Sequence, residues 1–178
     1  MKDNKIVRLS FILFLVCAIV AAALAVVNMV TEGPIKAQAD AKTAAAYAAV
    51  LTAPSYTDVE FDQTAYPTID LISKADDGAG YVVTTTFSGA QGSITMIVGV
   101  SPENTCTGIS ITSHSETSGL GANAAADSDI GRNFRAQFVG ATDSIQLADI
   151  EALSGATITS RSVTNAVATA IQAVESLG

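Results

Sequence analysis

The sequence predicts an α+β protein in which a single N-terminal transmembrane helix precedes a domain with a mainly antiparallel sheet and flanking helices. Residues 9–30 form an apolar run without charge, the middle of the chain alternates β-branched segments with turns, and the last segment repeats apolar residues at helical spacing. Because no helical segments separate the strands, we exclude a βαβ array. The 178 residues suffice for one such domain and are too few for a second full domain.

The apolar run at residues 9–30 is long enough to cross a bilayer as one helix. Three basic residues precede it, whereas charges of both signs follow it, which predicts a cytoplasmic N-terminus at residues 1–8. A cleaved signal peptide is the alternative, since residues 37–39 read Ala-Gln-Ala. The run exceeds the apolar part of a usual signal peptide, so we expect a retained anchor with the rest of the chain outside the cytoplasm.

The segment after the apolar run predicts a short second helix. Gly33-Pro34 should interrupt the first helix at the membrane surface, and the alanine-rich residues 35–51 should resume helical structure until Pro54. We therefore assign residues 31–55 to a helical linker and residues 56–178 to an extracytoplasmic domain.

Within this domain, β-branched segments separated by turn-forming residues predict antiparallel hairpins. The predicted strands are residues 66–73, 81–88, 92–100 and 107–113. A Gly-rich loop follows, then a short helix around residues 130–138 and a final helix over residues 160–176, where apolar residues recur with helical periodicity.

The composition excludes several classes of function. Nine Lys and Arg against 17 Asp and Glu give a net charge of -8, which repels nucleic acid. The two cysteines, Cys17 and Cys106, allow neither a disulfide framework nor a four-thiolate metal site. His114 is the one histidine, so no His-rich metal site is expected. Redox chemistry must come from a cofactor or a partner, and we expect Cys106 to be a small buried strand residue.

Two local patterns have simpler explanations than catalysis. Residues 119–124 match the G-x-G-x-x-A form of a dinucleotide fingerprint, but the strand and helix that this fingerprint requires are missing. The glycines should instead supply positive φ or a close backbone approach. His114, Ser115 and Glu116 are consecutive, and neighbours on an extended strand point to opposite faces, so His114 is better explained as a polar residue at a strand end.

The stretch LSGATITS, residues 153–160, has the composition of a helix start, and Ser160 could serve as its N-cap. A helix N-terminus also favours an anion such as a phosphate. The small side chains of Ser154, Gly155 and Ala156 would leave room for a bulky group at Thr157. Arg161, one turn later, could pair with the anion.

These residues resemble a known family. The strings Ser154-Gly155-Ala156-Thr157 and His114-Ser115-Glu116-Thr117-Ser118-Gly119-Leu120-Gly121 are similar to the FMN-binding domain of the G subunit of the Rnf electron transport complex. The C subunit of the sodium-pumping NADH:quinone reductase shares that domain. The resemblance covers the whole plan, from the anchor through the β-rich middle to the C-terminal helix.

The resemblance implies a covalent cofactor. In that family FMN is joined by a phosphoester bond to the threonine that ends the Ser/Thr-Gly-Ala-Thr motif, which corresponds to Thr157, and a separate flavin transferase makes the bond from FAD. Loop position and resemblance together suggest Glu116, Thr117, Gly119 and Leu120 as flavin contacts. The protein would then be a redox subunit without a catalytic site of its own, working beside other membrane and iron-sulfur subunits.

The chain departs from the family pattern at two positions. Glu151 stands where the motif has Asp, which keeps the charge on a longer arm, and Ser118 stands where the loop usually has Pro. Neither departure removes the hydroxyl of Thr157.

Within the family the short chain favours the Rnf G subunit over the C subunit of the quinone reductase, which is usually longer. A stand-alone extracytoplasmic flavin-carrying domain is a further alternative. A pilin-like structural protein also combines an anchor with a sheet, but residues 9–30 contain no glycine or glutamate, and the expected break at Gly33-Pro34 opposes a continuous helix.

Overall fold

The computed structural model describes residues 3–177. The chain divides into two compact units, of which one ends at Lys42 and the other begins at Thr43. The helices are α1 (Asp3–Val50), α2 (Asp129–Ala136) and α3 (Thr157–Glu175), the strands are β1 (Tyr56–Val59), β2 (Ile69–Ala75), β3 (Tyr81–Ser88), β4 (Ser93–Val100) and β5 (Cys106–His114), and two 3-10 turns lie at Gly121–Ala124 and Leu147–Asp149. The predicted α+β class is confirmed.

Helix α1 contains Pro34, so the predicted interruption at Gly33-Pro34 is wrong. Proline removes one backbone hydrogen bond and crowds the preceding turn, but the flanking segments are rich in alanine and other helix formers. The pilin argument therefore depends only on the absence of glycine and glutamate from residues 9–30. Large apolar side chains between Val7 and Ile35 are exposed. Within residues 3–177, this helix is the one long and apolar enough to cross a membrane.

The five strands form one antiparallel sheet in the order β1-β2-β3-β4-β5, so each strand pairs with its neighbours in sequence. The predicted bounds are correct for β3 and within one residue for β4 and β5. Strand β2 begins later than predicted because Pro67 lies in a turn, which the Ile69 N–H closes by donating to the Tyr66 carbonyl (3.0 Å). The short strand β1 was not among the predicted strands.

The two faces of the sheet pack against different helical segments. Val83 belongs to the larger core, which includes the buried face of α3. Its neighbour Val82 belongs to a smaller core with Ala46 and Val50 at the end of α1, as the alternation of side chains along a strand requires. Cys106 lies in the larger core, as expected, and burial raises the pKa of its thiol to about 11.

Helices α2 and α3 both start earlier than predicted. The Ser128 hydroxyl caps α2 by accepting from the Gly131 N–H (3.3 Å). Helix α3 starts at Thr157, three residues before the predicted start at Ser160. The N-terminus of α3 is thereby placed directly after Ser154, Gly155 and Ala156.

Candidate functional site

Three segments that are distant in sequence meet at the start of α3. They are the β3–β4 turn at residues 89–92, the loop after β5 at residues 115–121, and the turn at residues 153–156. Glu116 joins the first two, because its Oε1 accepts from the Gln91 N–H (3.0 Å). The same carboxylate reaches α3, because its Oε2 accepts from the Thr159 hydroxyl (2.5 Å).

The turn that leads into α3 has an unusual form for a helix start. Gly155 adopts a positive φ of 70°, and the Ala156 N–H donates to the Leu153 carbonyl (3.0 Å). Ala156 is the N-cap residue, and its methyl side chain provides no acceptor for the first turn of the helix. Because the first amides of a helix have no intrahelical acceptor, this end of α3 offers free donors and the positive end of the helix dipole.

Ser160 has a different role from the predicted N-cap, so that assignment is wrong. It lies inside the first turn of α3 and is fully buried. Its hydroxyl accepts from the Leu153 N–H and donates to the Ala156 carbonyl, both at 3.0 Å. Ser160 therefore fixes the turn from the buried side and leaves the exposed side open.

The two threonines of LSGATITS differ sharply in environment. Thr157 is the first residue of α3 and is exposed. Thr159 is only 1% exposed, and its hydroxyl donates a hydrogen bond to the Glu116 carboxylate. Residues two apart on a helix point to nearly opposite sides, so Thr157 presents its hydroxyl to solvent while Thr159 faces the interior.

Glu116 is 8% exposed and has an unusual electrostatic environment. Burial opposes its ionisation, but hydrogen bonds from the Thr159 hydroxyl and from the backbone amides of residues 90–92 outweigh this effect and lower its pKa. The carboxylate is thus ionised at neutral pH. It is stabilised by donors from two segments that do not adjoin it in sequence.

Glycines around Glu116 leave room for the carboxylate. A Cβ on Gly121 would overlap with Glu116 Oε2 and lie 2.6 Å from Thr159 Oγ1, and a Cβ on Gly89 would overlap with Glu116 Oε1. Gly119 in the same loop has a positive φ of 78°. Both predicted roles of the glycines, close approach and positive φ, are therefore confirmed. The 3-10 turn that follows and the antiparallel sheet rule out a dinucleotide fold in this part of the described chain.

The remaining predicted contact residues lie around the same helix start. Leu120 is 44% exposed, and its Cδ2 is 3.0 Å from the position that a Cβ on Gly155 would take. The Thr117 carbonyl accepts from the Leu120 N–H (3.2 Å), which closes the loop. Arg161 is exposed one turn after Thr157, and no acidic side chain among residues 7–177 forms an ion pair with it.

His114 is the last residue of β5, as predicted for a polar residue at a strand end, and is exposed. Its Nδ1 accepts from the Glu116 N–H (3.3 Å). The carboxylate of Glu116 is directed instead to Gln91 and Thr159, so the three consecutive residues do not form an acid-base cluster.

The two departures from the family pattern lie at exposed positions. Ser118 is exposed in the loop after β5, and the Glu151 side chain is exposed before the turn into α3. The backbone of Glu151 is fixed by Gln137, whose Oε1 accepts from its N–H (2.6 Å) and whose Nε2 donates to its carbonyl (3.3 Å). A groove of about 340 Å³ between α2 and residues 151–154 ends at Ser154.

Sequence reasoning missed three parts of this site. The β3–β4 turn, the burial of Thr159 and the amide of Gln137 all act across long sequence separations. One local signal was available, since Gly89 and Gly92 flank a tight turn between two predicted strands.

Two family models match this chain. The FMN-binding domain family matches residues 89–172, a range that contains all three segments around Glu116. The RnfG N-terminal region matches residues 1–50.

Curated relatives match most of the chain. The chain is 32% identical to the G subunit of the Na(+)-translocating ferredoxin:NAD(+) oxidoreductase complex of Acetobacterium woodii, with 98% of this chain and 95% of that protein covered. It is 31% identical to the G subunit of the ion-translocating oxidoreductase complex of Methanosarcina acetivorans, with 98% and 97% covered. A further match, 38% identical, is the G subunit of the proton-translocating ferredoxin:NAD(+) oxidoreductase complex of Clostridium ljungdahlii, with 57% of this chain and 56% of that protein covered.

Among solved structures, the C subunit of the Na(+)-translocating NADH-quinone reductase from Parabacteroides distasonis matches with a TM-score of 0.47 and 16% identity. The match covers 75% of this chain and 80% of that one.

Proposed function

The chain belongs to the family of G subunits of ion-translocating ferredoxin:NAD(+) oxidoreductase complexes, and we propose that it carries electrons in such a complex on an FMN held at the start of α3. The main support for the proposal is the exposed Thr157 hydroxyl at a helix N-terminus whose N-cap residue, Ala156, makes no side-chain capping bond. This position lies inside the range matched by the FMN-binding domain family.

The residues at the start of α3 fit a phosphate ester. Free amides and the helix dipole favour an anion there, and Arg161 supplies a positive charge one turn on. Gly155 and Ala156 carry little or no side chain beside the Thr157 hydroxyl, and exposed Ser154 adds a further polar group. Leu120 and Ile158, the latter 62% exposed, offer apolar surface for a planar ring system.

We propose that FMN is attached to Thr157 through a phosphoester made from FAD by a flavin transferase. The Thr157 oxygen forms a bond to the phosphorus next to the riboflavin, the pyrophosphate bond breaks, AMP leaves, and the hydroxyl proton is released. When bound, FMN supplies the electron-transfer chemistry. The chain's own residues anchor the phosphate, orient the ring and prevent loss of the cofactor.

The proposal extends to the place of the protein in the cell. Helix α1 supports a membrane-associated subunit, and the basic residues before the apolar run favour a cytoplasmic N-terminus with residues 56–178 outside. In this arrangement residues 9–30 span the membrane and residues 31–55 link it to the flavin domain. The partners are the other membrane and iron-sulfur subunits of the complex, and the transferase during maturation.

The test uses membranes that contain the full-length chain with the other subunits and a flavin transferase. We expect Thr157→Ala to abolish ferredoxin-dependent reduction of NAD(+), whereas Ser162→Ala, a hydroxyl deletion further along the same helix, leaves it within about twofold of the wild type because exposed or half-buried substitutions have small effects. Full activity of the Thr157→Ala membranes would contradict the proposed function.

A further inference from the structure

The carboxylate of Glu116 lies between three segments and is satisfied by protein donors. Its Oε1 accepts from the Gln91 N–H in the β3–β4 turn (3.0 Å), and its Oε2 accepts from the Thr159 hydroxyl in α3 (2.5 Å). Only 8% of the residue is exposed. Both oxygens of this carboxylate are therefore engaged by donors of the protein itself.

Two glycines pack closely against the carboxylate. Gly89 on one side and Gly121 on the other approach the two oxygens so closely that neither position has room for a methyl group. The three segments therefore have one close-packed arrangement around the charge, and this arrangement depends on both partners of the Glu116–Thr159 bond.

This arrangement fixes the two elements beside the turn at residues 153–156, which we call the attachment turn. They are the start of α3 and the loop after β5. Thr159 lies in the first turn of α3, two residues after Thr157, so the bond restrains the helix start that carries the exposed hydroxyl. Glu116 also anchors the loop that brings Leu120 against Gly155. When the Glu116–Thr159 bond is lost, the loop after β5 and the start of α3 gain other conformations. In these conformations Leu120 and the Thr157 hydroxyl no longer keep their relative positions.

We propose that Glu116 is a positioning residue, whose ionised carboxylate, bonded to Thr159, holds the attachment turn in the conformation that is flavinylated at Thr157. The inference rests on the proposed function. A transferase acts only on the population with the correct conformation, so its rate falls in proportion to that population. The same bond withholds the Thr159 hydroxyl from modification, although Thr159 lies only two residues from the acceptor.

The experiment follows the rate of FMN incorporation into the full-length chain in detergent, with purified flavin transferase and FAD, by fluorescence of the band on a denaturing gel. Thr159→Val removes the donor at nearly constant volume, and Glu116→Gln removes the charge at constant shape. We expect each to slow incorporation by about tenfold, the equivalent of losing one hydrogen bond to a charged group.

Two variants separate positioning from general damage to the fold. Thr159→Ser keeps the hydroxyl and should incorporate FMN within about twofold of the wild-type rate, since one buried methyl group is lost. Thr164→Val is the matched control, because Thr164 is a buried threonine of the same helix whose hydroxyl donates to the Ser160 carbonyl (2.9 Å). It should also stay within about twofold, since it leaves the Glu116 bond intact.

The inference is overturned if Thr159→Val incorporates FMN at the wild-type rate, or if Thr164→Val slows incorporation as much as Thr159→Val does. Its failure differs from that of the proposed function. Absence of FMN from the wild-type chain, or its presence on Thr157→Ala, would contradict the proposed function itself.

Discussion

Thr159 donates a hydrogen bond to Glu116 across 43 positions of sequence, and this bond connects the first turn of α3 to the loop after β5. The bond distinguishes two threonines that look equivalent in LSGATITS. Thr159 is buried and engaged, whereas Thr157 is exposed at the first position of the helix. Thr159 therefore connects two segments of the site, and Thr157 leaves its hydroxyl exposed at the helix start, as the proposed attachment requires.

The two threonines should differ in their effect on stability. Thr159→Val leaves a buried carboxylate without one donor, which costs about 1–3 kcal/mol and should lower Tm by about 3–10 °C. Thr157→Val changes an exposed side chain that makes no capping bond and should cost less than about 0.5 kcal/mol. Thermal unfolding of the full chain in detergent, followed by circular dichroism, measures both. Equal effects of the two variants would contradict the assigned environments.

Gly121→Ala should disrupt the site more than Gly108→Ala does. The new methyl group would overlap with Glu116 Oε2 and press on Thr159 Oγ1, so we expect a loss of about 1–3 kcal/mol, typical of overpacking, together with slow FMN incorporation. Gly108→Ala in β5 is the control, because its nearest neighbour would be at 3.5 Å, an ordinary contact. If Gly121→Ala is as stable as Gly108→Ala, the close contact between Gly121 and the Glu116 carboxylate is contradicted.

Arg161→Ala should weaken the hold on the flavin phosphate without preventing the bond. Arg161 is exposed one turn after Thr157, so its attraction to the phosphate is screened and amounts to about 0.5–1 kcal/mol. We expect incorporation to slow by about two- to fivefold at low ionic strength and to match the wild type in high salt. Arg161→Lys keeps the charge, so its incorporation rate at low ionic strength should lie between the rates of the wild type and of Arg161→Ala. A defect that persists unchanged in high salt would point to packing rather than charge.

Stability should depend on pH through Glu116. Its pKa is lowered in the folded protein, because the donors from Thr159 and residues 90–92 outweigh the effect of burial. A lowered pKa gives stability that is complete above the unfolded value, about 4.3, and is lost as pH falls through the folded value. The stability advantage of the wild type over Glu116→Gln should therefore shrink below about pH 4.

Thermal unfolding of both proteins between neutral and acidic pH measures this difference. Asp76 also has a lowered pKa, caused by hydrogen bonds from Ser55 and Thr57. It is present in both proteins, so its contribution cancels. A difference that grows as the pH falls would contradict the assignment of an ionised Glu116.

The sheet was predictable because its hairpin turns carry strong local signals. Strand β3 has the predicted bounds, since a turn with Asp76, Asp77 and Gly78 precedes it and Gly89 follows it. The start of α3 was misplaced because Ala156 occupies the N-cap position without a capping side chain. Pro34 predicts a helix end, but helix α1 continues through it because helix formers on both sides outweigh one missing hydrogen bond.

The candidate site was predictable only in part. The position of Thr157 before a helix was accessible from LSGATITS and from the family resemblance. The pairing of Glu116 with Thr159 was not, because no local pattern links a loop residue to a helix residue 43 positions later. The role of the β3–β4 turn likewise depends on which strand lies beside β5 in the folded sheet.

Tandem mass spectrometry of the full-length wild-type chain, produced together with a flavin transferase, locates the flavin directly. Trypsin should release residues 136–161, which contain both Thr157 and Thr159, so fragment ions must distinguish the two. We predict a mass increase of one FMN less one water, located on Thr157. An unmodified peptide in the presence of an active transferase, or FMN located on Thr159, would contradict attachment of the flavin at Thr157.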